Sequence, residues 1–410
     1  MAESYVAIAR KWRPLTLEEM AGQTHVTRTL RNALTSKRLH HAFLFTGARG
    51  VGKTTAARAF ARSLQCVEGP TPNPCGKCGP CVDILAGNCP DVVEIDGASN
   101  NSVDDIRDLR DGVRYLPATA RFRVYIIDEV HMLSKGAFNA LLKTLEEPPA
   151  HVKFIFATTE VNKIPETILS RVQRFDFKRI PAGVVVGRLQ QICQAEGVSL
   201  SEVSLRMIAR AGEGSMRDAQ SLLDQVVSFG GDHPDEAAVA DILGLVDRTV
   251  LYEMLTGLVK GEPDRCLDAI AAVHDQGYEI AQFTSELLEL VRNAALVGLS
   301  PGARRHLDVP EEEKERLATL VAGMSPELLS RTFQTLLEVH EQVAHASRPR
   351  MVLEMAVARL VSIRPAQPVA PLVERLVELE RRLRAGGAAV APPRGAPRGR
   401  EPSDDPEGER

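Results

Sequence analysis

The sequence predicts a mostly parallel β-sheet covered by helices, followed by two all-helical units. Three observations lead there. Short β-branched apolar runs alternate with helical patterns over the first 180 residues, the signature of strand–helix–strand units. The runs are near-continuous rather than alternating, as expected for strands buried on both faces. After Pro181 the runs stop and helical spacing takes over.

Taken in order, the expected strands are His41–Thr46, Asp91–Asp96, Arg123–Asp128, Lys153–Thr158 and a weaker Arg174–Lys178. Between them, Thr54–Leu64 reads as a helix with Ala56, Ala57, Phe60 and Leu64 on one face. Ser134–Glu147 reads as another, with Phe138, Leu141, Leu142 and Leu145 at spacings of three and four, ended by Pro148-Pro149. Residues 182–243 read as short helices with turns at Gly197, Gly212, Gly214 and Gly230. From about 246 to 364 the pattern is helical throughout, as in Glu279–Leu299. Leu372, Leu376, Leu379 and Leu383 form a narrow stripe, too short for a coiled coil and better suited to a short amphipathic helix. The end from Gly386 to Arg410, with five Gly and five Pro, reads as a solvated tail.

Composition bounds the function. The 410 residues carry 50 basic and 54 acidic side chains, a net charge of −4, so nucleic acid is not bound by bulk charge but only through a local patch or an assembly. At about 150 residues per domain this length gives two or three domains. No apolar run is long enough to span a bilayer and the N-terminus lacks a secretory pattern, so a cytoplasmic protein is expected. Of seven cysteines, Cys66, Cys75, Cys78 and Cys81 cluster, whereas Cys89, Cys193 and Cys266 are scattered. In a reducing compartment the cluster reads as a metal site before it reads as disulfides; a redox-active Cys-x-x-Cys or inert thiols are the other readings.

The stretch Gly47-Ala48-Arg49-Gly50-Val51-Gly52-Lys53-Thr54 fits the phosphate-loop pattern, follows an apolar strand and opens a helix. Glycines let the backbone N–H groups turn inward around a phosphate, and the helix N-terminus adds its positive dipole end. In such a loop Lys53 reaches the β- and γ-phosphates of ATP and Thr54 ligates Mg²⁺. Hydrolysis needs an acidic element at the end of a neighbouring strand, and Asp128-Glu129 supplies it: Asp128 for Mg²⁺, Glu129 to orient and deprotonate the attacking water. Asp128-Glu129-Val130-His131 also has the form of a helicase DExH box, but a helicase needs two such αβ domains, so His131 reads as an ordinary residue after the strand.

Three further features follow the order found in AAA+ ATPases. Thr158-Thr159 ends the fourth strand, the place of a sensor 1 residue; Ser170-Arg171 follows a short helix, the place of an arginine finger; Arg217, in Gly214-Ser-Met-Arg217-Asp218, lies at a sensor 2 position. SYVAIARKWRP, AGQTHV, EIDGASNNSVDDIRDLR, VYIIDEVHMLSKGAFNALLKTLEEPPAHVKFIFATTE, TILSR and EGSMRDAQSLLDQ together resemble the bacterial clamp-loader ATPases, the gamma/tau family of DNA polymerase III. The resemblance is dense over residues 4–230 and thins beyond. One departure is Val172, where the family motif usually reads Ser-Arg-Cys; this affects packing and leaves the arginine chemistry intact.

The resemblance implies a P-loop AAA+ sheet domain over 1–181 with a zinc module at about 66–89, a lid domain over 182–243, an all-helical collar over 244–364, and a short helix and tail over 365–410. It implies a structural Zn²⁺ site of Cys66, Cys75, Cys78 and Cys81, closed because four thiolates leave no position for water; Cys89 could replace one ligand, but its place in a Cys-Pro after a Gly-Asn turn reads as a bystander. It also implies ATP and Mg²⁺ bound between sheet domain and lid with Arg217 reaching the phosphates, and Arg171 and Thr159 as catalytic groups, Arg171 acting in a neighbouring subunit. The expected function is an ATP-hydrolysing motor of a ring-shaped hetero-pentamer with delta- and delta-prime-type subunits, which opens a sliding clamp and loads it on primed DNA. The chain resembles the family's short form. A non-hydrolysing stator is the first alternative, disfavoured by the complete phosphate loop; another AAA+ DNA-processing motor is the second, disfavoured by the cysteine insertion.

Overall fold

In a computed structural model the described residues are 5–231, 233–300, 302–307, 309–363 and 369–386. The chain divides into two compact units, Met1–Asp247 and Arg248–Arg410.

The first unit opens with α1 (Ile8–Lys11) and α2 (Thr24–Ser36), then β1 (Ala42–Thr46) and α3 (Lys53–Gln65). There follow α4 (Gly79–Ala86), β2 (Val92–Asp96), α5 (Val103–Gly112), β3 (Arg123–Asp128), α6 (Lys135–Glu146), β4 (Val152–Thr158), α7 (Glu166–Leu169) and β5 (Gln173–Asp176). The five strands form one parallel sheet in the order β2-β3-β4-β1-β5. Successive side chains on a strand point to opposite faces, and both faces here are covered. Phe43, Phe45, Ile126 and Ile155 pack with Leu30 and Leu34 of α2 and Phe60 and Leu64 of α3. Leu44, Tyr125, Ile127, Phe154 and Phe156 pack on the other side with Ile106 and Leu109 of α5 and Phe138, Leu141 and Leu145 of α6. This two-sided burial is why the strands read as continuous apolar runs.

Two expectations change. The strand carrying Asp128 does not neighbour β1; β4 lies between them, so the acidic pair and the phosphate loop meet only because side chains converge beyond the strand ends. The last strand begins one residue earlier than expected and ends at Asp176, with Phe177 donating its N–H to the Thr46 carbonyl at 2.7 Å.

The rest of the first unit is helical: α8 (Ala182–Glu196), α9 (Glu202–Ala211), α10 (Met216–Gly230) and α11 (Glu236–Ile242). Gly230 is the last helical residue rather than the turn; Gly231, with φ of 75°, makes the turn. Val185, Leu189, Ile192, Leu205, Ile208, Leu223 and Val226 form its core, joined by Ile8 of α1 and Ile180. Trp12 Nε1 donates to Glu196 Oε1 at 2.6 Å and Lys11 pairs with Glu196 Oε2 at 2.8 Å, so the N-terminal segment is tied to the end of α8.

The second unit comprises α12 (Arg248–Lys260), α13 (Pro263–Asp275), α14 (Ile280–Leu299), α15 (Glu311–Leu320), α16 (Pro326–His345), α17 (Pro349–Val361) and α18 (Val369–Gly386). The twenty-residue α14 and α16, each about 30 Å long, pack together and bury Phe283, Leu287, Val291, Leu336, Val339 and Val343. On α18, Val373, Leu376, Val377 and Leu379 are exposed. The predicted tail falls outside the described residues from 387 onward. Among the described residues, no helix is long and apolar enough to cross a membrane.

Candidate nucleotide site and cysteine cluster

The loop Gly47–Gly52 joins β1 to α3, whose N-cap is Gly52 in the left-handed region. Glycine at position 50 is required twice over. Its φ is 73°, and a Cβ there would lie 1.8 Å from the Ser215 hydroxyl oxygen. Ser215 caps α10 by accepting from the Asp218 N–H, and the Arg217 N–H donates to the Gly50 carbonyl at 3.3 Å. The phosphate loop therefore touches the first turn of α10 directly.

Lys53 is 6% exposed, and its ammonium group donates to the carbonyls of Gly47 and Ala48 at 2.9 and 2.8 Å. Burial lowers its pKa from the ordinary lysine value, while Glu129 and Asp128 act in the opposite sense. Thr54 Oγ1 donates to Asp128 Oδ2 at 2.6 Å, which brings the two predicted Mg²⁺ ligands side by side from α3 and β3. Asp128 Oδ1 accepts from the Glu129 N–H at 3.0 Å.

Glu129 itself has φ of 44° and ψ of 46°, a left-handed conformation that a non-glycine residue occupies at a cost. Gly97 permits this turn, since a Cβ there would stand 2.8 Å from the Glu129 carbonyl oxygen. Glu129 Oε2 accepts from both the N–H and the hydroxyl of Thr159, each at 3.1 Å. His131 does not behave as an ordinary residue after a strand. Its side chain is only 6% exposed, with Nδ1 3.0 Å from Thr158 Oγ1 and 3.3 Å from Glu129 Oε2, and Nε2 3.3 Å from Glu160 Oε1. The sequence reading missed this because helical and strand periodicity say nothing about a short 3₁₀ turn.

A cleft beside the loop is lined by Arg13, Val51, Thr55, Arg188, Met216 and Arg217. Burial, and then the guanidinium groups of Arg58 and Arg217, hold Arg13 below the ordinary arginine value. Such a gathering of cations at a glycine loop and a helix N-terminus suits a polyanion. Neither Arg13 nor Arg188 was a sequence candidate; Arg13 lies in the SYVAIARKWRP stretch, but nothing in that stretch assigns it a task, and the docking of the N-terminal segment against α8 and α10 brings both in.

Arg171 stands apart from this cluster. Its guanidinium donates to Glu146 Oε1 and the Thr167 carbonyl, both at 2.7 Å, and to Ser170 Oγ at 3.0 Å. The side chain remains 32% exposed. Val172 packs, partly buried, against the core cluster that contains Ile168, Phe138 and Leu141.

The ligand atoms of Cys66, Cys75, Cys78 and Cys81 all lie within 4.8 Å of one another. Four sulfurs at about 2.3 Å from a zinc ion would be about 3.8 Å apart, so the residues fit that ion. Cys75 and Cys78 N–H groups donate to Cys66 and Cys75 Sγ, each at 3.4 Å. Backbone N–H groups of Lys77 and Cys78 lower the Cys75 thiol to about 7, whereas burial pushes Cys81 up to about 12. Cys89 is buried outside the cluster, and burial raises its thiol.

Three family models match the chain: DNA polymerase III delta subunit over residues 22–181, DNA polymerase III clamp loader subunit ATPase lid domain over 184–232, and DNA polymerase III subunits gamma and tau domain III over 235–376. The chain is 41% identical to DNA polymerase III subunit tau of Bacillus subtilis over 406 residues, covering 96% of this chain and 72% of that protein. It is 42% identical to the Escherichia coli tau subunit, covering 89% of this chain and 57% of the relative. Identity to the gamma subunit of Buchnera aphidicola is 36%, over 88% of this chain and 99% of that one. Among solved structures the chain aligns with the Thermotoga maritima RuvB Holliday junction branch migration motor, at 19% identity and a TM-score of 0.43, covering 60% of this chain and 79% of that one. The Bacillus subtilis DNA clamp loader delta protein aligns at 11% identity and 0.36, covering 82% and 99%. The identity to the tau and gamma subunits, sustained through sheet unit, lid and helical unit alike, means that the chain belongs to the DNA polymerase III gamma/tau family of AAA+ ATPase subunits.

Proposed function

We propose that this chain is an ATP-hydrolysing motor subunit of a clamp loader, which opens a sliding clamp and loads it on primed DNA in the cytoplasm. The observation that carries this reading is the convergence of Lys53, Thr54, Asp128, Glu129 and Thr159 at one end of the sheet. A stator would have no use for a buried lysine on a complete phosphate loop beside a strained acidic pair.

The Gly47–Gly52 backbone and Lys53 would bind the ATP phosphates; Lys53 would exchange its carbonyl partners for phosphate oxygens, which also offsets the burial of its charge. Thr54 and Asp128 are the residues that would hold Mg²⁺. That ion, when bound, supplies positive charge to the β- and γ-oxygens. Glu129 would orient and deprotonate the attacking water, with Thr159 fixing its carboxylate. Arg217, with Arg13 beside it, would report the bound triphosphate to the lid. Arg171 would act in a neighbouring subunit, where fingers of this kind are worth about 10³–10⁵ in rate.

The four cysteines would hold a structural Zn²⁺, contributing folding energy to a loop that buries little of its own. On this reading 1–181 is the nucleotide-binding domain with its zinc module at about 66–89, 182–243 the lid, 244–364 the collar, and 365–410 a short helix and tail. The assembly is a hetero-pentameric ring with delta- and delta-prime-type subunits, and primed DNA is met by the assembly rather than by a chain of net charge −4.

The test is ATP hydrolysis measured on the chain alone, with delta-type partners, and then with clamp and primer–template. Turnover should be low alone and rise at each addition. Equal rates in all three would refute the motor reading.

A further inference from the structure

His131, its side chain only 6% exposed, is a polar ring at the nucleotide site for which the roles above leave no task. It is held from both sides. Nε2 faces Glu160 Oε1 at 3.3 Å, and Glu160 is in turn fixed by Lys163 at 2.9 Å and by its own N–H donated to Thr158 Oγ1 at 3.0 Å. Nδ1 faces Thr158 Oγ1 at 3.0 Å and Glu129 Oε2 at 3.3 Å. Glu129 Oε2 thus collects the Thr159 N–H, the Thr159 hydroxyl and the imidazole edge, whereas no hydrogen bond to Oε1 is found among the described residues.

This asymmetry is informative. A carboxylate that takes a proton from water needs one oxygen anchored and the other open, because rotation about its final bond would otherwise sweep the basic lone pair away from the water. We infer that His131 is a positioning residue for the base Glu129: with a proton on each ring nitrogen it points Nε2–H at Glu160 and Nδ1–H between Thr158 Oγ1 and Glu129 Oε2, which holds Oε2 and leaves Oε1 facing the water. This rests on the assignment of Glu129 as the base.

The full chain, assembled with delta- and delta-prime-type partners, is assayed for steady-state ATP hydrolysis with clamp and primed DNA. His131→Ala should lower kcat about 10- to 100-fold, the cost of a misplaced catalytic group, with KM and the ATP dissociation constant unchanged. His131→Asn, whose side-chain amide can occupy the place of Nδ1, should recover most of the rate. His131→Gln, which places its amide near Nε2, should not. Glu160→Gln should fall between wild type and His131→Ala. A merely structural role predicts that Asn and Gln fail alike, since both leave most of the ring volume empty; that result overturns the inference, as does wild-type kcat in His131→Ala or a loss confined to KM. Should His131→Ala fail to fold, judged by lost ATP binding, the Asn–Gln comparison decides. Absence of Mg²⁺-dependent hydrolysis in the wild type would instead sink the motor reading and is distinguishable from these outcomes.

Discussion

Lys53 and Glu129 are expected to fail in different ways when changed. Removing the ammonium group takes away the charge that would meet the phosphates, so Lys53→Ala should abolish ATP binding as measured by titration calorimetry. Glu129→Gln keeps the hydrogen bonds from Thr159 but loses the base; it should bind ATP like the wild type and turn over about 10²–10⁴ times more slowly. Away from the site, Asp91 is 1% exposed and accepts from the N–H groups of Ala118, Thr119 and Ala120 and from the Thr119 hydroxyl, at 2.7–3.0 Å. Burial raises its carboxyl, but these donors together hold it below the ordinary carboxylate value. A folded-state value below the unfolded one means that the stabilisation is present above the unfolded value of about 3.9 and is lost as pH falls through the folded one. Asp91→Ala should therefore cost about 1–3 kcal/mol at pH 7 by denaturant titration, with a smaller difference in strong acid. The phosphate-loop residues were legible because their chemistry is local, written in eight consecutive positions. Arg13, His131 and Glu160 were not, because each owes its place to contacts made across the fold.

At the level of elements, the strands were readable because two-sided burial demands apolar residues at every position, a stronger signal than one-sided alternation. The helix from Lys53 to Gln65 and the helix from Lys135 to Glu146 on the opposite face were readable from spacing; that Ser134 caps the latter by accepting from the Ala137 N–H was seen only in the structure. Strand order was not readable. Nothing in the Arg123–Asp128 run says that β4 will insert between it and β1. The cysteine insertion belongs to this scale too, since α4 starts at Gly79 inside the cluster and packs against α3, with Cys66 joining it from the end of that helix. About one zinc per chain should be found by elemental analysis of protein purified under reducing conditions. Cys66→Ser should lose it and expose Cys75, Cys78 and Cys81 to thiol reagents, because the closed site would no longer form. Zinc-free wild type with the same thiol reactivity would disprove the site.

For the whole molecule, the decisive question is whether turnover belongs to one chain or to an interface. Arg171 is anchored to Glu146 and the Thr167 carbonyl within its own chain and keeps about a third of its side chain in solvent. Arg171→Ala should bind ATP normally and lose the hydrolysis stimulated by clamp and primed DNA, by up to about 10³–10⁵; retained stimulation would reassign the finger. From the amino-acid order alone came the fold class, the phosphate loop, the acidic pair, the cysteine cluster and the family resemblance, since each depends on residue type and short spacing. Left to the tertiary structure were the insertion of β4 between β1 and β3, the meeting of Thr54 with Asp128, the approach of Ser215 to Gly50, and the bracing of Glu129 by Thr159 and His131. These depend on how distant segments pack, and packing is settled by the joint burial of many side chains rather than by any one stretch of chain.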